Sequence, residues 1–543
     1  MEACEDGGEA RVARARAPGG HHRGGPAGAP RALRARPDPR GVRGAGRAGH
    51  ARGGRRARRG AAHHLPRPAP GGPRRRGHAR RGHAPRAHPP LLPPPRSRRR
   101  GAAPDALMRP PAALEQARFP EAILDVLRRL AAAGHRSWLV GGAVRDVLLH
   151  RPRAATDFDV ATPATPQQVM ALFRRVIPTG IDHGTVTVLV GDEKVEVTTF
   201  RGEGDYVDGR RPATVTFLAE LEADLARRDF TMNAMAYDPL QADFRDPFDG
   251  RVDMSRRRIR AVGDPAARFG EDGLRAMRAV RFAAQLGYRL DPATRAAIPG
   301  ALEVVRKVSV ERVAEELSRL VLASHPGPAL LLLRRTGLLG VVVPALAALP
   351  LAAYRHAVAV AGHAPAEPAL RFAALLHGVG PEEAARIVFG LRLPRRLSEE
   401  VGTLLRAYAC PAARHPAALP DAPADIRRWL ARTGPQRVPS VFELVSAELR
   451  TLPPARHAAA AEEVRRARAA IDAQLAAAPP LAAGDLALDG RAVMALLGQG
   501  PGPHVGEALH HLLDRVLEDP ARNTPDALEA ELRRWWAGRG GAL

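Results

Sequence analysis

The sequence predicts an α+β protein in which a small α/β head is followed by an all-helical remainder. Two observations carry this. Between residues 137 and 200, short β-like runs alternate with helical stretches: SWLVGG (137–142), TDFDVAT (156–162), TVTVLVG (185–191) and KVEVTTF (194–200). Beyond about Asp264, Ala and Leu recur at helical spacing, punctuated by Pro and Gly, with no convincing strand. The last two runs of the head flank GDEK, which predicts a hairpin and therefore a mixed or antiparallel sheet rather than a doubly wound one.

The 543 residues are enough for two to four domains, and 45% of them are hydrophobic, enough to build cores. Residues 1–107 stand apart. They hold 26 Arg, no Lys and 6 acidic residues, so +20 of the chain's +26 lies there and only +6 in the rest. Their Arg, Gly, Ala, Pro and His cannot bury enough apolar area to offset the entropy of ordering, and the segment is expected to be disordered. An RNA-binding Arg-rich tail is one reading; a dispensable or over-called extension is the one the sequence favours, because a chain starting at Met108 reaches a first amphipathic helix at 113–133 within a few residues. The acidic N-terminus lacks an apolar core and is not read as a secretory signal. Cys4 and Cys410 are too far apart in sequence and context to suggest a disulfide framework, so a reducing cytoplasm is the expectation. The most apolar stretch, 336–353, is broken by Gly340, Pro344 and Pro350 and reads as the end of one buried helix, a turn and the start of another. No internal repeat of fixed period is evident.

Several residue groups point to chemistry. Gly141 and Gly142 follow a strand and open a helix, where backbone N–H groups can receive a phosphate with Arg145 one turn in, or simply make a tight turn. In Asp157-Phe158-Asp159 the strand period puts both carboxylates on one face and Phe158 on the other. Glu196, between Val195 and Val197, points to a single face and can support that pair. Carboxylates on neighbouring strands below a phosphate-binding turn are what metal-assisted phosphoryl or nucleotidyl transfer requires, although solvated strand-end acids would look the same. Arg228 can clamp a triphosphate, with Asp229 or Asn233 on a ribose hydroxyl or the backbone; an N-capped helix with Asp229 as cap fits equally. Residues 246–250, DPFDG, read as a turn.

The segment EDGLRAMRAVRF (271–282) predicts one helix on which Asp272, Arg275, Arg278 and Arg281 share a face, either solvated or reading a ligand. Cytosine and adenine both present an exocyclic amine beside a ring-nitrogen acceptor, whereas guanine and uracil present a carbonyl in place of that amine. An Asp that accepts and an Arg that donates, one turn apart, suit C and A.

Taken together, LVGGAVRD (139–146), TDFDVAT, VEVTTF, ARRDFTMNA (226–234), DPFDG, EDGLRAMRAVRF and SVERV (309–313) resemble the ordered motifs of the class II tRNA nucleotidyltransferases, from about Arg118 to the C-terminus. This superfamily contains CCA-adding enzymes and bacterial poly(A) polymerases. The resemblance implies a nucleotidyltransferase-type α/β head followed by an all-helical neck, body and tail. The corresponding boundaries are a 1–107 extension, head 108–252, neck 253–325, body 326–440 and tRNA-binding tail 441–543. It implies that Asp157 and Asp159 hold catalytic Mg²⁺ and that Glu196 assists. Gly142, Arg145 and Arg228 match nucleotide-binding positions, Asp272 with Arg275 the pair that selects C and A, and Arg278 and Arg281 further nucleotide contacts. Glu311 and Arg312 match a structural neck motif. The implied partners are tRNA, through its 3′ end and elbow, with ATP and CTP; no membrane and no obligate protein partner are implied.

The loop at 201–211 resembles the element needed to switch from C to A, and 484–513 resembles the module that grips the tRNA elbow. The alternatives are a poly(A) polymerase, a CC-adding or A-adding enzyme, and, more remotely, a non-catalytic RNA-binding protein. Residues 370–380 resemble the metal-binding core of an HD phosphohydrolase, but His377 is followed by Gly378 where that family has Asp. The expectation is a segment that keeps helical packing without phosphohydrolase activity, with His356 and His377 as ordinary histidines.

Overall fold

The computed structural model describes residues 110–151, 158–202, 216–217, 220–408 and 419–539. The 1–107 extension, Asp157 and most of the loop at 201–211 lie outside the described residues. The head is a seven-stranded mixed sheet: β1 (Trp138–Val140), β2 (Asp159–Thr162), β3 (Val176–Gly180), β4 (Thr185–Val190), β5 (Glu193–Thr199), β6 (Ala236–Asp238) and β7 (Asp243–Arg245), in the order β3-β4-β5-β2-β1-β6-β7. β1 is antiparallel to both neighbours, β4 and β5 form the expected hairpin, and β2 with β5 is the parallel pair that makes the sheet mixed.

Alternation sets the two faces of the sheet. Leu139, Phe158, Val160, Val195 and Val197 enter the large core with Ile123, Val126, Leu127 and Leu130 of the helix Glu121–Ala132. Trp138, Val140, Ala161 and Ala236 face a smaller cluster with Leu221, Leu225 and Val262 on the other side. The helix expected over 113–133 is in fact two, Ala112–Glu115 and Glu121–Ala132, with Pro120 as the N-cap of the second. Proline restricts the residue before it, Phe119, and removes a donor, so the two helices cannot run on as one. The helix Pro166–Leu172 is capped at its start: Thr165 and Gln168 cap each other's backbone N–H groups.

Past the head the described residues are helical, with one exception among them to the sequence expectation: Arg289–Leu290 pairs in parallel with Arg258–Ile259, two residues on each side and too short to leave a periodic signal. The neck helix Leu274–Leu286 packs against Val310–Val321 and Pro326–Arg335. The stretch at 336–353 resolves, as its Gly and Pro residues imply, into short helices Leu338–Val342 and Pro344–Ala348 before Leu351–His363. One core runs from the head to Ile471. A separate core, Leu486 to Leu532, is built by Gly490–Leu497, Pro503–Glu518 and Pro525–Ala537. The packing thus groups Val438–Leu449 with the body core, although the sequence boundary at 441 assigns most of it to the tail. Arg427 joins the two cores, donating to the Leu517 and Glu518 carbonyls at 2.7 Å each and to Gln474 at 2.8 Å. No helix among the described residues is long and apolar enough to cross a membrane.

Candidate active site

Strand register lines up the candidate carboxylates. Val140 of β1 lies opposite Asp159, the first residue of β2, and Asp159 lies opposite Glu196 on β5. Residues in one row of a sheet project to the same face, so Asp159 and Glu196 share a face and Phe158 is buried on the other. Asp159 is half-buried and Glu196 exposed. The row ends β1, and the next residue is Gly141.

Gly141 adopts φ 68°, ψ −129°, which a side chain disfavours, and a Cβ there would lie 2.9 Å from Arg228 Nη1 and 3.7 Å from Asp159 Oδ2. The glycine therefore lets an arginine and an acid approach the same turn. Gly142 begins the helix that carries Arg145. Arg228 donates to Asp224 Oδ2 at 3.2 Å, while its Nε is buried with no hydrogen-bond partner among the described residues. Asp224 is fully buried and also accepts from Arg227. Burial pushes the Asp224 carboxyl up, but Arg228 and Arg227 outweigh it and the net shift is down. Burial lowers the Arg227 guanidinium to about 10 against the opposing pull of Asp224.

A second network couples the head to the neck. Arg145 pairs with Asp146 and donates to Asn233 Oδ1 at 2.7 Å; Asn233 Nδ2 donates to Asp229 Oδ1 at 2.9 Å; Asp229 Oδ2 meets Arg278 Nη2 at 2.7 Å. Burial alone would raise the Asp229 carboxyl, yet Arg278 and the Asn233 hydrogen bond hold it at about 2. Arg281 is buried, ion-paired with Glu316, bonded to Gln285 Oε1 at 2.5 Å and 3.9 Å above the Phe282 ring. Arg145, Arg278 and Arg281 all lie over Phe282, three cations around one aromatic ring. The cap expected at Asp229 is realised only in part: its carboxylate accepts from Phe230 N at 2.8 Å, but a single 3₁₀ turn, Thr231–Asn233, follows.

The single helix expected over 271–282 is broken. Pro265–Glu271 ends at Asp272, whose φ −143° and ψ 108° are extended, and the neck helix starts at Leu274. A Cβ on Gly273 would sit 2.6 Å from backbone atoms of Val304 and Val305, so the bend is where another segment crosses closely. Asp272 thus sits at the helix junction rather than on the helix face shared by Arg278 and Arg281. Its Oδ1 accepts from Leu274 N at 2.9 Å and its Oδ2 from Arg312 Nη2 at 2.9 Å. Arg275 turns to Glu271, with further bonds to the Arg268 and Arg227 carbonyls at 3.1 Å each.

Sequence reading missed Asp224, Glu271, Glu316 and Glu448 as partners of functional groups; Glu316 and Glu448 are recruited from elements distant in sequence. Two of them carried a local signal: Glu271, four residues before Arg275, and Asp224, three and four residues before Arg227 and Arg228. Arg312, read as structural, reaches Asp272, while Glu311 pairs with Arg392 on the surface. His356 and His377, read as ordinary, converge with Glu448 on the body helices.

Known proteins resemble this chain in sequence and fold. The poly A polymerase head domain matches residues 137–260, and the probable RNA and SrmB-binding site of polymerase A matches 287–349. The CCA-adding enzyme of Geobacillus thermodenitrificans is 38% identical over 414 residues, 75% of this chain and 95% of that protein. The Geobacillus stearothermophilus enzyme is 38% identical over 419 residues, 76% of this chain and 96% of the relative. The crystal structure of the Bacillus stearothermophilus CCA-adding enzyme in complex with CTP superposes with a TM-score of 0.61 at 34% identity, covering 77% of this chain and 98% of that one. With a mixed-sheet head, a helical remainder and this similarity over nearly the whole length of its relatives, the chain belongs to the CCA-adding enzyme family of tRNA nucleotidyltransferases.

Proposed function

We propose that this enzyme adds C, C and A in turn to the 3′ end of tRNA from CTP and ATP, releasing pyrophosphate, without a nucleic-acid template. The observation that carries the reading is the position of Asp272 and Arg275 at the start of a neck helix that Arg278 locks to the head through Asp229. The family implies a divalent metal ion, and the donors present fit Mg²⁺: Asp159 and Glu196 are hard oxygen ligands on one face, with Asp157 directly upstream. When bound there, Mg²⁺ supplies Lewis-acid stabilisation of charge on the 3′-oxygen and the triphosphate.

The chain's own residues account for the rest. The Gly141 turn lets the triphosphate approach the backbone of Gly142, and Arg228 offers a fixed cation beside Asp159. Asp272 has one donor on each oxygen, which leaves lone-pair capacity for an exocyclic amine. Arg275 donates to the ring nitrogen in exchange for part of its pairing with Glu271. A guanine or uracil carbonyl facing the Asp272 carboxylate would oppose two acceptors, a mismatch that a site built for hydrogen bonding rejects strongly. Arg145 and Arg278, paired in the interior network, position this helix against the head, and Arg281, paired with Glu316, holds it against the neighbouring neck helix. The module at 484–513, on its own core, is assigned to the tRNA elbow, and the enzyme's place of action to the cytoplasm.

The test is extension of a tRNA lacking its 3′ CCA, resolved to single nucleotides, with Mg²⁺ and CTP alone, ATP alone or both. Two additions with CTP and a third only when ATP is also present are expected. Long ladders with ATP alone would make it a poly(A) polymerase and overturn the assignment.

A further inference from the structure

Four body helices converge on a group of side chains far in sequence from the head. His356 lies on Leu351–His363, His377 follows Pro368–Leu376, Glu448 lies on Val438–Leu449, and Tyr408 ends Arg395–Tyr408. One ligand atom from each of His356, His377 and Glu448 lies within 4.8 Å of the others. His356 Nε2 is 2.9 Å from Glu448 Oε1, and the two imidazoles stand edge to face with centroids 5.3 Å apart. We propose that these three residues form a binding site for one divalent transition-metal ion of the Zn²⁺ type, with a coordination position left open toward solvent.

The donor set selects the ion. Two imidazoles with one carboxylate suit Zn²⁺ and its first-row neighbours, whereas Mg²⁺ and Ca²⁺ take oxygen ligands. The surroundings are those of an oriented ligand set. His377 Nδ1 lies 2.8 Å from the Ala374 carbonyl, an acceptor only, so that nitrogen carries the proton and Nε2 keeps the lone pair. Tyr408 donates to Glu448 Oε2 at 2.8 Å, which fixes the carboxylate and leaves Oε1 directed at His356. Glu448 is buried while the His356 side chain is 39% exposed, so the site has an entry and an open side. Closing three atoms now up to 4.8 Å apart around one ion requires small rotamer shifts at His356 and His377.

The experiment is titration of chelator-dialysed full-length protein with Co²⁺, followed by displacement with Zn²⁺. One equivalent giving the visible absorption of a four- or five-coordinate ion, bleached by Zn²⁺, is expected. His356→Gln, at the half-exposed position, removes the band with the circular dichroism spectrum unchanged, and Glu448→Gln removes it as well. Tyr408→Phe keeps the band and weakens binding by roughly 10–100-fold, as loss of an outer-shell partner does. The histidines of residues 1–107 are common to all variants, so the difference spectrum excludes them. No band in the wild type, or a band that survives both His356→Gln and Glu448→Gln, overturns the proposal. Nucleotide addition is unaffected by His356→Gln, which separates failure here from failure of the proposed reaction.

Discussion

Arg278 Nη2 lies 2.7 Å from the Asp229 carboxylate, an ion pair that ties the neck helix to the head. Asp229 is buried and Arg278 about one-third exposed, so removing either partner strands a charge that water reaches only in part. Arg278→Ala is expected to cost about 2 kcal/mol, below the range for a fully buried pair because of that exposure. A double-mutant cycle with Asp229→Ala, read by urea unfolding, checks it. Strictly additive losses would mean that the pair does not couple head and neck.

The same pair sets an acid limit. A carboxyl held at about 2 in the folded chain, below its ordinary value near 3.9, contributes stability that is complete above pH 4 and disappears as pH falls toward 2. Its contribution is on the order of 2 kcal/mol. Stability measured across pH 5 to 2 should therefore fall less steeply in Asp229→Asn than in the wild type, even though the variant starts lower. Parallel profiles would assign the acid sensitivity to other carboxylates.

What the sequence revealed follows from whether the signal was local. The β4–β5 hairpin and the opposite facing of Phe158 and Asp159 both rest on neighbours in the chain, and each is present. β3 was not evident because Pro178 interrupts it and it lies at the sheet edge with a shifted register, and β6 and β7 are three residues each. The break at Asp272-Gly273 is imposed by Val304 and Val305 from thirty residues on, which no helical periodicity can register. For the same reason the Arg281–Glu316 pair was not legible: its partners lie thirty-five residues apart on different helices.

The shared row of Asp159 and Glu196 predicts unequal roles. Asp159→Asn should lower nucleotide addition by roughly 10³-fold, the several kcal/mol of a lost metal contact, with unfolding unchanged or slightly favouring the variant. Glu196→Gln, on an exposed side chain, should cost about tenfold and be partly recovered at higher Mg²⁺. Equal losses would give Glu196 the rank of a direct ligand.

Gly141 tests the phosphate turn. Gly141→Ala places a methyl 2.9 Å from Arg228 Nη1 at a backbone angle that alanine disfavours, and the cost is roughly 1–2 kcal/mol of strain with displacement of that arginine. The expectation is a rise of KM for CTP and ATP alike, by tenfold or more, with nucleotide choice retained. A change in the ratio of C to A incorporation would tie the turn to base reading instead.

Arg312 tests how Asp272 is held for base reading. Its Nη2 and the Leu274 N–H each bond one oxygen of the Asp272 carboxylate, and Arg312 is about two-fifths exposed, so its loss should leave folding nearly intact. Without it the carboxylate keeps one anchor and can rotate, which weakens discrimination more than turnover. Arg312→Ala should therefore raise misincorporation of U and G about tenfold while addition of C from CTP falls only a few-fold, the difference that one charge-assisted hydrogen bond supplies. Arg312→Lys, which keeps the charge but not the planar fork, should recover part of the discrimination. Equal loss of correct and incorrect addition would show that Arg312 supports the neck as a whole and does not position Asp272.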